Sequence, residues 1–292
     1  MENPGIEEVR SIVKTYGLHP LVGEELLGPS KSSKAAVYKG YVYLVLKFPI
    51  RVREGAYHAA MEKEIDFIIG KDFIITTRYE VIQPLHAFGK AFEANTILDK
   101  DTRADHAGHV FYYMMRRMYA HMLGDVEAVK GDLTAIEGKV FTGKEKDAVE
   151  VLSSLSRELL DFRQACRSHL EVLESLAKSP AAIADKEFAP YITDIKDSFV
   201  VVRDAITNTH ELARELRETN DSLLNTKQNE TMKILTVVAF ITYPLMLLVQ
   251  ILEVNSPHNP IIQSPYNFEL ILVITVAATV FMLWYFKHRK WL

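Results

Sequence analysis

The residues best suited to chemistry lie near the C-terminus. From Ile234 the chain turns almost wholly apolar, ILTVVAFITYPLMLLVQIL, yet small, polar or amphipathic side chains recur in steps of three and four: Asn229, Met232, Thr236, Ala239, Tyr243, Met246 and Gln250. That spacing gathers them on one face of a helix, while Ile234, Val238, Ile241, Leu245 and Leu248 take other faces. An amide inside hydrocarbon needs a partner, so Asn229 and Gln250 are expected to point inward, to helices or to water. Two readings follow. In one, several copies surround a water path with this helix innermost, because two spans per chain cannot enclose one. In the other, the seam joins a membrane-anchored coiled coil whose amides bond across the interface. The pattern alone leaves them even.

No other part of the chain reads as a catalytic constellation. His106 and His109, three apart beside Asp105, lack a clear third ligand and read as an exposed helical face. His210-Glu211 lacks the second histidine of a zinc-protease helix, and no glycine-rich phosphate loop precedes a helix. Cys166, the single cysteine, falls on an apolar stripe with Leu152, Leu155, Leu159 and Phe162 and reads as core. The chain is therefore expected not to be an enzyme, to need no organic cofactor, and to pass any cargo down its electrochemical gradient. A net charge of −4, with basic residues scattered and no interleaved aromatic platform, gives no nucleic-acid partner. One cysteine offers no disulfide, which suits a reducing cytosol.

The element that must position the seam is the stretch that carries it. Between Pro190 and Pro244 there is neither proline nor glycine, so Tyr191 to Leu252 predicts one unbroken helix of roughly 90 Å. Its first two-thirds are charged and amphipathic, with a seam of Val202, Ala205, Thr209, Leu212, Leu216, Thr219 and Leu223 for a copy of itself or a neighbouring helix. Its apolar end and a second run, Leu270–Phe286, are free of Lys, Arg and Asp and predict two membrane spans. The N-terminus MENPGIEEVR has no apolar signal-peptide run. Lys227 and Lys233 precede the first span, Lys287, Arg289 and Lys290 follow the second, and the loop between has no Lys or Arg. Both termini are therefore expected in the cytoplasm, with Trp284, Tyr285 and Trp291 at the inner interface.

Upstream, a short helix is expected at Ile6–Tyr16. AAVYKGYVYLVLKFPIRV reads as two strands turning at Lys39-Gly40, and Glu64–Ile69 and Phe73–Arg78 as two more joined at Gly70-Lys71. Helical spacing over Asp105–Phe141 and Lys144–Lys178 predicts two long antiparallel helices joined at Thr142-Gly143. The expected organisation is a cytosolic α/β domain (1–102), an antiparallel helical pair (103–189), a stalk helix continuing into the first transmembrane helix (190–252), an extracytoplasmic loop (253–269), the second transmembrane helix (270–286) and a basic tail (287–292).

Several blocks resemble the CorA-type magnesium and cobalt transporters. They are Asn229-x-x-Met232-Lys233-x-Leu235-Thr236, Pro244-Leu245, Asn255 and the terminal basic cluster with Trp291-Leu292. Upstream, His19-Pro20-Leu21-Val22-x-Glu24-Glu25-Leu26-Leu27 and Tyr191-x-x-Asp194-Ile195-x-Asp197 are similar to further family segments. The resemblance covers nearly the whole chain. It implies a funnel-shaped homopentamer in the cell inner membrane with an α/β cytosolic domain, the first membrane helices lining a pore and the second forming an outer ring. The implied activity is passive passage of divalent metal, magnesium and cobalt, gated by cytosolic Mg2+. The resemblance also places regulatory metal between neighbouring cytosolic domains, which on this chain falls to Glu24, Glu25, Asp194 and Asp197.

The family's Gly-Met-Asn at the outer pore mouth is replaced by Glu253-Val254-Asn255, so only the asparagine remains. The loop that usually carries Met-Pro-Glu-Leu reads Asn259-Pro260-Ile261-Ile262 and lacks the acidic residue. A carboxylate ring at a narrow mouth concentrates cations, so Glu253 is expected to compensate and to form the collecting ring with Asn255. Two alternatives stand beside this reading: a structural or sensory pentamer that conducts poorly, and transport with changed selectivity, such as zinc.

Overall fold

The computed structural model describes residues 1–54, 57–98, 107–178, 188–254, 265–289 and 291. They form two compact units, Met1–Glu218 and Thr219–Leu292.

The first unit begins with α1 (Ile6–Tyr16), which carries Glu7 and Glu8 in its first turn and Lys14 in its last, as the helix dipole favours. Gly17, left-handed at φ 61°, ends it. Helix α2 (Pro20–Glu25) starts at proline, and the Nδ1 of the extended His19 accepts from the Leu21 amide at 3.3 Å. Four strands follow: β1 (Lys34–Tyr38), β2 (Tyr41–Glu54), β3 (Tyr57–Gly70) and β4 (Ile74–Arg78). They make one antiparallel sheet in the order β1-β2-β3-β4. The β1–β2 turn uses Gly40 at φ 94°, a conformation that favours glycine. At Gly70 an added Cβ would run into the Phe73 ring, so a side chain there would have to displace that ring.

The β2–β3 hairpin is longer than its hydrophobic runs predict. Its ladder extends from Tyr41↔Gly70 to Glu54↔Tyr57, so the third strand starts seven residues before Glu64, and the fourth starts at Ile74 rather than Phe73. Side chains alternate across the sheet, and both faces are covered. Val42, Leu44, Leu46, Phe48, Ile65, Phe67 and Ile69 join the main helical core. Tyr41, Tyr43, Val45 and Ile68 pack under α1 and α2 with Val9, Leu18, Val22 and Leu26.

Helix α3 (Gln83–Leu98) follows the sheet where the pattern had suggested only the rest of an α/β layer. Helix α4 (Ala107–Phe141) is unbroken for 35 residues. The expected second helix of the pair is instead two, α5 (Glu145–Ala165) and α6 (His169–Ala177). The break turns His169 fully inward, where its Nε2 lies 2.9 Å from the Lys47 carbonyl oxygen and its Nδ1 lies 3.0 Å from the Tyr119 hydroxyl. A carbonyl only accepts, so Nε2–H donates to it and Nδ1 accepts from Tyr119. Burial holds this imidazole neutral, with its pKa lowered to about 4. Cys166, buried at the same corner, donates Sγ–H to the Phe162 carbonyl at 2.9 Å, a structural role.

Helix α7 (Ala189–Leu252) is continuous for 64 residues and contains Pro244. In the first unit its stripe of Ile192, Ile195, Phe199, Val202 and Ile206 is buried in the main core beside Phe111, Met115, Met118 and Tyr119 of α4. Of the predicted seam, Val202 and Ala205 thus meet this core of their own chain, and the buried stripe continues upstream of it through Phe199, Ile195 and Ile192.

The second unit holds the end of α7 and α8 (Asn267–His288), both long and apolar enough to cross a membrane. No residue of α8 is buried. Half-buried Ile271, Ile274, Thr275, Ala278, Thr279 and Met282 follow helical spacing along one side of it, and Val237 is buried on α7 with Ile241 and Leu245 half-buried beyond it. Burial on each helix is thus confined to one strip, and the remaining apolar surface is exposed and needs cover.

Candidate functional site

The polar seam lies on the part of α7 that the chain leaves open. Tyr243 is 72% exposed, Met232 56% and Met246 57%, and Asn229 and Gln250 are exposed as well. Thr236 and Ala239 are half-buried. The Thr236 hydroxyl donates back to the Met232 carbonyl at 2.8 Å, which satisfies it within apolar surroundings. Glu253 follows the last turn, its amide bonded to the Val249 carbonyl at 3.0 Å, and its side chain is exposed. Asn255 lies outside the described residues, as do His106 and the Asn259-Pro260-Ile261-Ile262 stretch.

The expected regulatory carboxylates sit at two places in the first unit. Glu25 closes α2, and the Lys34 Nζ of β1 stands 2.5 Å from its Oε2. Roughly a third of each side chain is exposed, 35% for Glu25 and 37% for Lys34. Glu24 beside it is exposed and borders the same open depression, with Ser30 and Lys31. Asp194 lies in the first turns of α7, where its Oδ2 accepts from the Tyr112 hydroxyl at 2.9 Å. Arg116, one turn further along α4, donates to that hydroxyl at 3.0 Å and brings its Nε within 3.7 Å of the same Asp194 oxygen. Asp197, one turn on from Asp194, is exposed.

Glu25 and Asp194 therefore each already have a cation of their own subunit beside them. Lys34 and Arg116 were not foreseen as partners. Tyr112 and Arg116 share a face of α4 by their spacing of four, but nothing local in the sequence ties that face to a residue about eighty positions away. Among the described residues no three Asp, Glu, His or Cys side chains are grouped to hold a metal ion. An ion at Glu25 or Asp194 would thus draw its remaining ligands from water or from a second copy, which suits magnesium's preference for keeping several waters. His109, offered as half of a histidine pair, lies edge-on to Tyr191 at 4.8 Å and serves aromatic packing.

Residues 1–288 match the family model described as CorA-like Mg2+ transporter protein. A curated relative, the cobalt/magnesium transport protein CorA of Thermotoga maritima, is 24% identical over 284 residues, which covers 97% of this chain and 80% of that protein. Among solved structures, the CorA magnesium transporter from Methanocaldococcus jannaschii aligns with a TM-score of 0.84 at 18% identity, over 100% of this chain and 90% of that one. Full-length CmaX aligns with a TM-score of 0.74 at 15% identity, over 99% of this chain and 87% of that one. At such identities the structural likeness speaks for the fold.

Proposed function

The chain belongs to the CorA-like Mg2+ transporter family, and from that premise we propose that five copies form a passive, gated path for magnesium, with cobalt as a second cargo, in the cytoplasmic membrane. The observation that carries this reading is the stripe Asn229, Met232, Thr236, Ala239, Tyr243, Met246 and Gln250, whose exposed members lie away from the buried strip through Val237, Ile241 and Leu245. An exposed run of amides, thioethers and a phenol on an apolar helix is costly against lipid and is relieved by a shared aqueous axis.

In this reading both termini are cytoplasmic, and Glu253 with Asn255 forms the outer collecting ring. Five carboxylates at a narrow mouth raise the local cation concentration and so the rate of entry. At the other end, cytosolic Mg2+ bridges Glu24 and Glu25 of one subunit to Asp194 and Asp197 of the next. Bound metal screens repulsion between subunits and favours the closed path; its loss at low magnesium loosens the ring.

Flux into proteoliposomes is the test, with magnesium, cobalt and zinc as alternative cargoes. Magnesium is expected to enter down its gradient without nucleotide. E253Q is expected to lower entry by about tenfold at sub-saturating magnesium, and much less at saturation, because focusing acts on encounter. Unchanged entry in E253Q excludes the collecting ring. Absence of flux for every ion favours a structural or sensory pentamer, and flux of zinc alone favours changed selectivity.

A further inference from the structure

A second group of acids lies under the connection between α2 and β1, on the sheet face covered by α1 and α2. Asp66, at the centre of β3, is fully buried. Glu64, two residues earlier on the same face, is buried as well, and both of its oxygens accept from the Ser30 amide, at 2.8 and 3.0 Å. Tyr79, just past β4, places its hydroxyl 3.0 Å from Asp66 Oδ2 and 3.2 Å from the Glu25 carbonyl oxygen. Around Asp66 stand Glu64 on its own strand, Glu25 at the end of α2, Tyr43 on β2 and Thr77, its partner across on β4. Lys34 pairs with Glu25 at 2.5 Å, and Lys47 pairs with Glu62 at 2.7 Å while its charge also acts on Glu64.

Burial of Asp66 beside buried Glu64 favours a neutral Asp66, and counting hydrogens shows how that proton can be used. The Tyr79 hydroxyl has one hydrogen, and the Glu25 carbonyl can only accept. If Tyr79 donates to that carbonyl, its contact with Asp66 Oδ2 is a hydrogen bond only when Asp66 carries a proton and donates it. An ionised Asp66 competes for the same hydrogen and places a second negative charge beside Glu64 on a buried face. Burial raises the Glu64 carboxyl too, but the Ser30 amide on both its oxygens and the Lys47 charge oppose that rise, so Glu64 is the member of the pair suited to stay ionised.

We propose that Asp66 is a proton-operated latch: its neutral carboxyl donates to Tyr79, Tyr79 donates to the Glu25 carbonyl, and this chain ties the end of α2 to the sheet until Asp66 gives its proton to solvent. On ionisation the Tyr79 hydrogen turns to the carboxylate. The Glu25 carbonyl keeps only the long 3.5 Å contact from the Gly28 amide, and the repulsion between Glu64 and Asp66 bears on the 26–33 connection above them. The end of α2 carries Glu24 and Glu25, so opening the latch moves the carboxylates assigned above to cytosolic magnesium. That coupling rests on the assignment; the latch does not.

Burial, and after it the charge of Glu64, pushes the Asp66 carboxyl up to about 8 in the latched state. Once opened to water it returns to about 3.9, the ordinary value. Between these values the open form binds fewer protons than the latched form, so the latch weakens by up to about tenfold per pH unit as pH rises, and its stability levels off above the upper value.

The test is amide hydrogen exchange of residues 26–33 in the full-length protein, in nanodiscs without divalent metal, corrected for the intrinsic pH dependence of exchange. The wild-type opening constant is expected to rise with pH and to plateau above about 8. D66N keeps a donor that cannot ionise and is expected to flatten the upper part of that rise. A flat wild-type profile, or a slope that survives in D66N, overturns the latch. Should D66N fail to fold, the infrared band of a buried neutral carboxyl in the wild type decides: present near neutral pH and lost above about 8 supports the latch, and absent near neutral pH overturns it. Magnesium protection of α2 against proteolysis, titrated at low and high pH, is read separately. An exchange slope that persists while this protection ignores pH overturns the coupling to Glu24 and Glu25 and leaves the latch standing.

Discussion

Lys34 offers a sharp test of the regulatory reading because it is a cation already occupying the place a metal would take. Its Nζ lies 2.5 Å from Glu25 Oε2, yet roughly a third of each side chain faces solvent. Water screens a pair so exposed, and such pairs contribute about 0–1 kcal/mol. A divalent ion reaching Glu25 must displace the ammonium, so removing it returns at most that amount to metal binding. One kcal/mol corresponds to roughly fivefold in a binding constant. K34Q removes the charge and shortens the side chain by one atom while keeping it polar. The assay is protection of the full-length protein from limited proteolysis as magnesium is titrated. The half-protecting concentration should fall by about two- to fivefold in K34Q. It should not move when K34Q is added to E25A, because the competitor then has nothing to compete for. A half-protecting concentration that rises in K34Q would make Lys34 a residue that positions Glu25 for metal, and an unchanged one would show that the ammonium does not compete with it. Either result refutes the competition.

The same titration addresses Asp194. Its carboxylate, paired with the Tyr112 hydroxyl and near Arg116, is expected to contribute a charge-assisted contact to magnesium, so D194A should raise the half-protecting concentration by about tenfold or more. Wild-type protection in D194A excludes it as a ligand. A stability prediction comes from Arg51, which donates to Glu158 at 2.7 Å and to Asp132 at 2.5 Å and so ties β2 to α5 and α4. Glu158 is almost fully buried, and E158A leaves a mostly buried guanidinium with only its more exposed partner. The expected cost is about 3 kcal/mol, at the low end for a broken buried pair because Asp132 remains, and it is read as an earlier thermal transition. A transition within a degree of wild type would show that the pair adds nothing.

The elements written in local pattern were legible. The 64-residue α7 follows from the absence of proline and glycine before Pro244, and both candidate spans follow from apolar runs free of Lys, Arg and Asp. What escaped was decided by contacts between distant segments. Tyr57–Lys63 joins β3 because β2 extends opposite it, as Arg51↔Ala60 and Arg53↔His58 show, although its own residues alternate poorly. The break between α5 and α6 has no proline or glycine to announce it. It becomes intelligible once His169 is seen to bond Lys47 and Tyr119, 122 and 50 residues away.

The candidate sites divide along the same line. The seam at Asn229 to Gln250 is a periodicity and can be read locally, whereas the environment of each acid cannot. Glu25 and Asp194 look like free helix-end carboxylates in sequence, yet Lys34 and the Tyr112–Arg116 pair meet them. Asp66 shows the opposite failure. In EKEIDFIIG it has the period-two spacing of a residue on a strand's polar face, yet α1 and α2 cover that face and make its proton a structural component. A buried carboxyl in a sheet is expensive unless it stays neutral or finds donors. Asp66 meets that requirement in part, through Oδ2 beside the Tyr79 hydroxyl, and the carbonyl on the other side of that hydroxyl belongs to Glu25, one of the residues through which cytosolic magnesium is proposed to act.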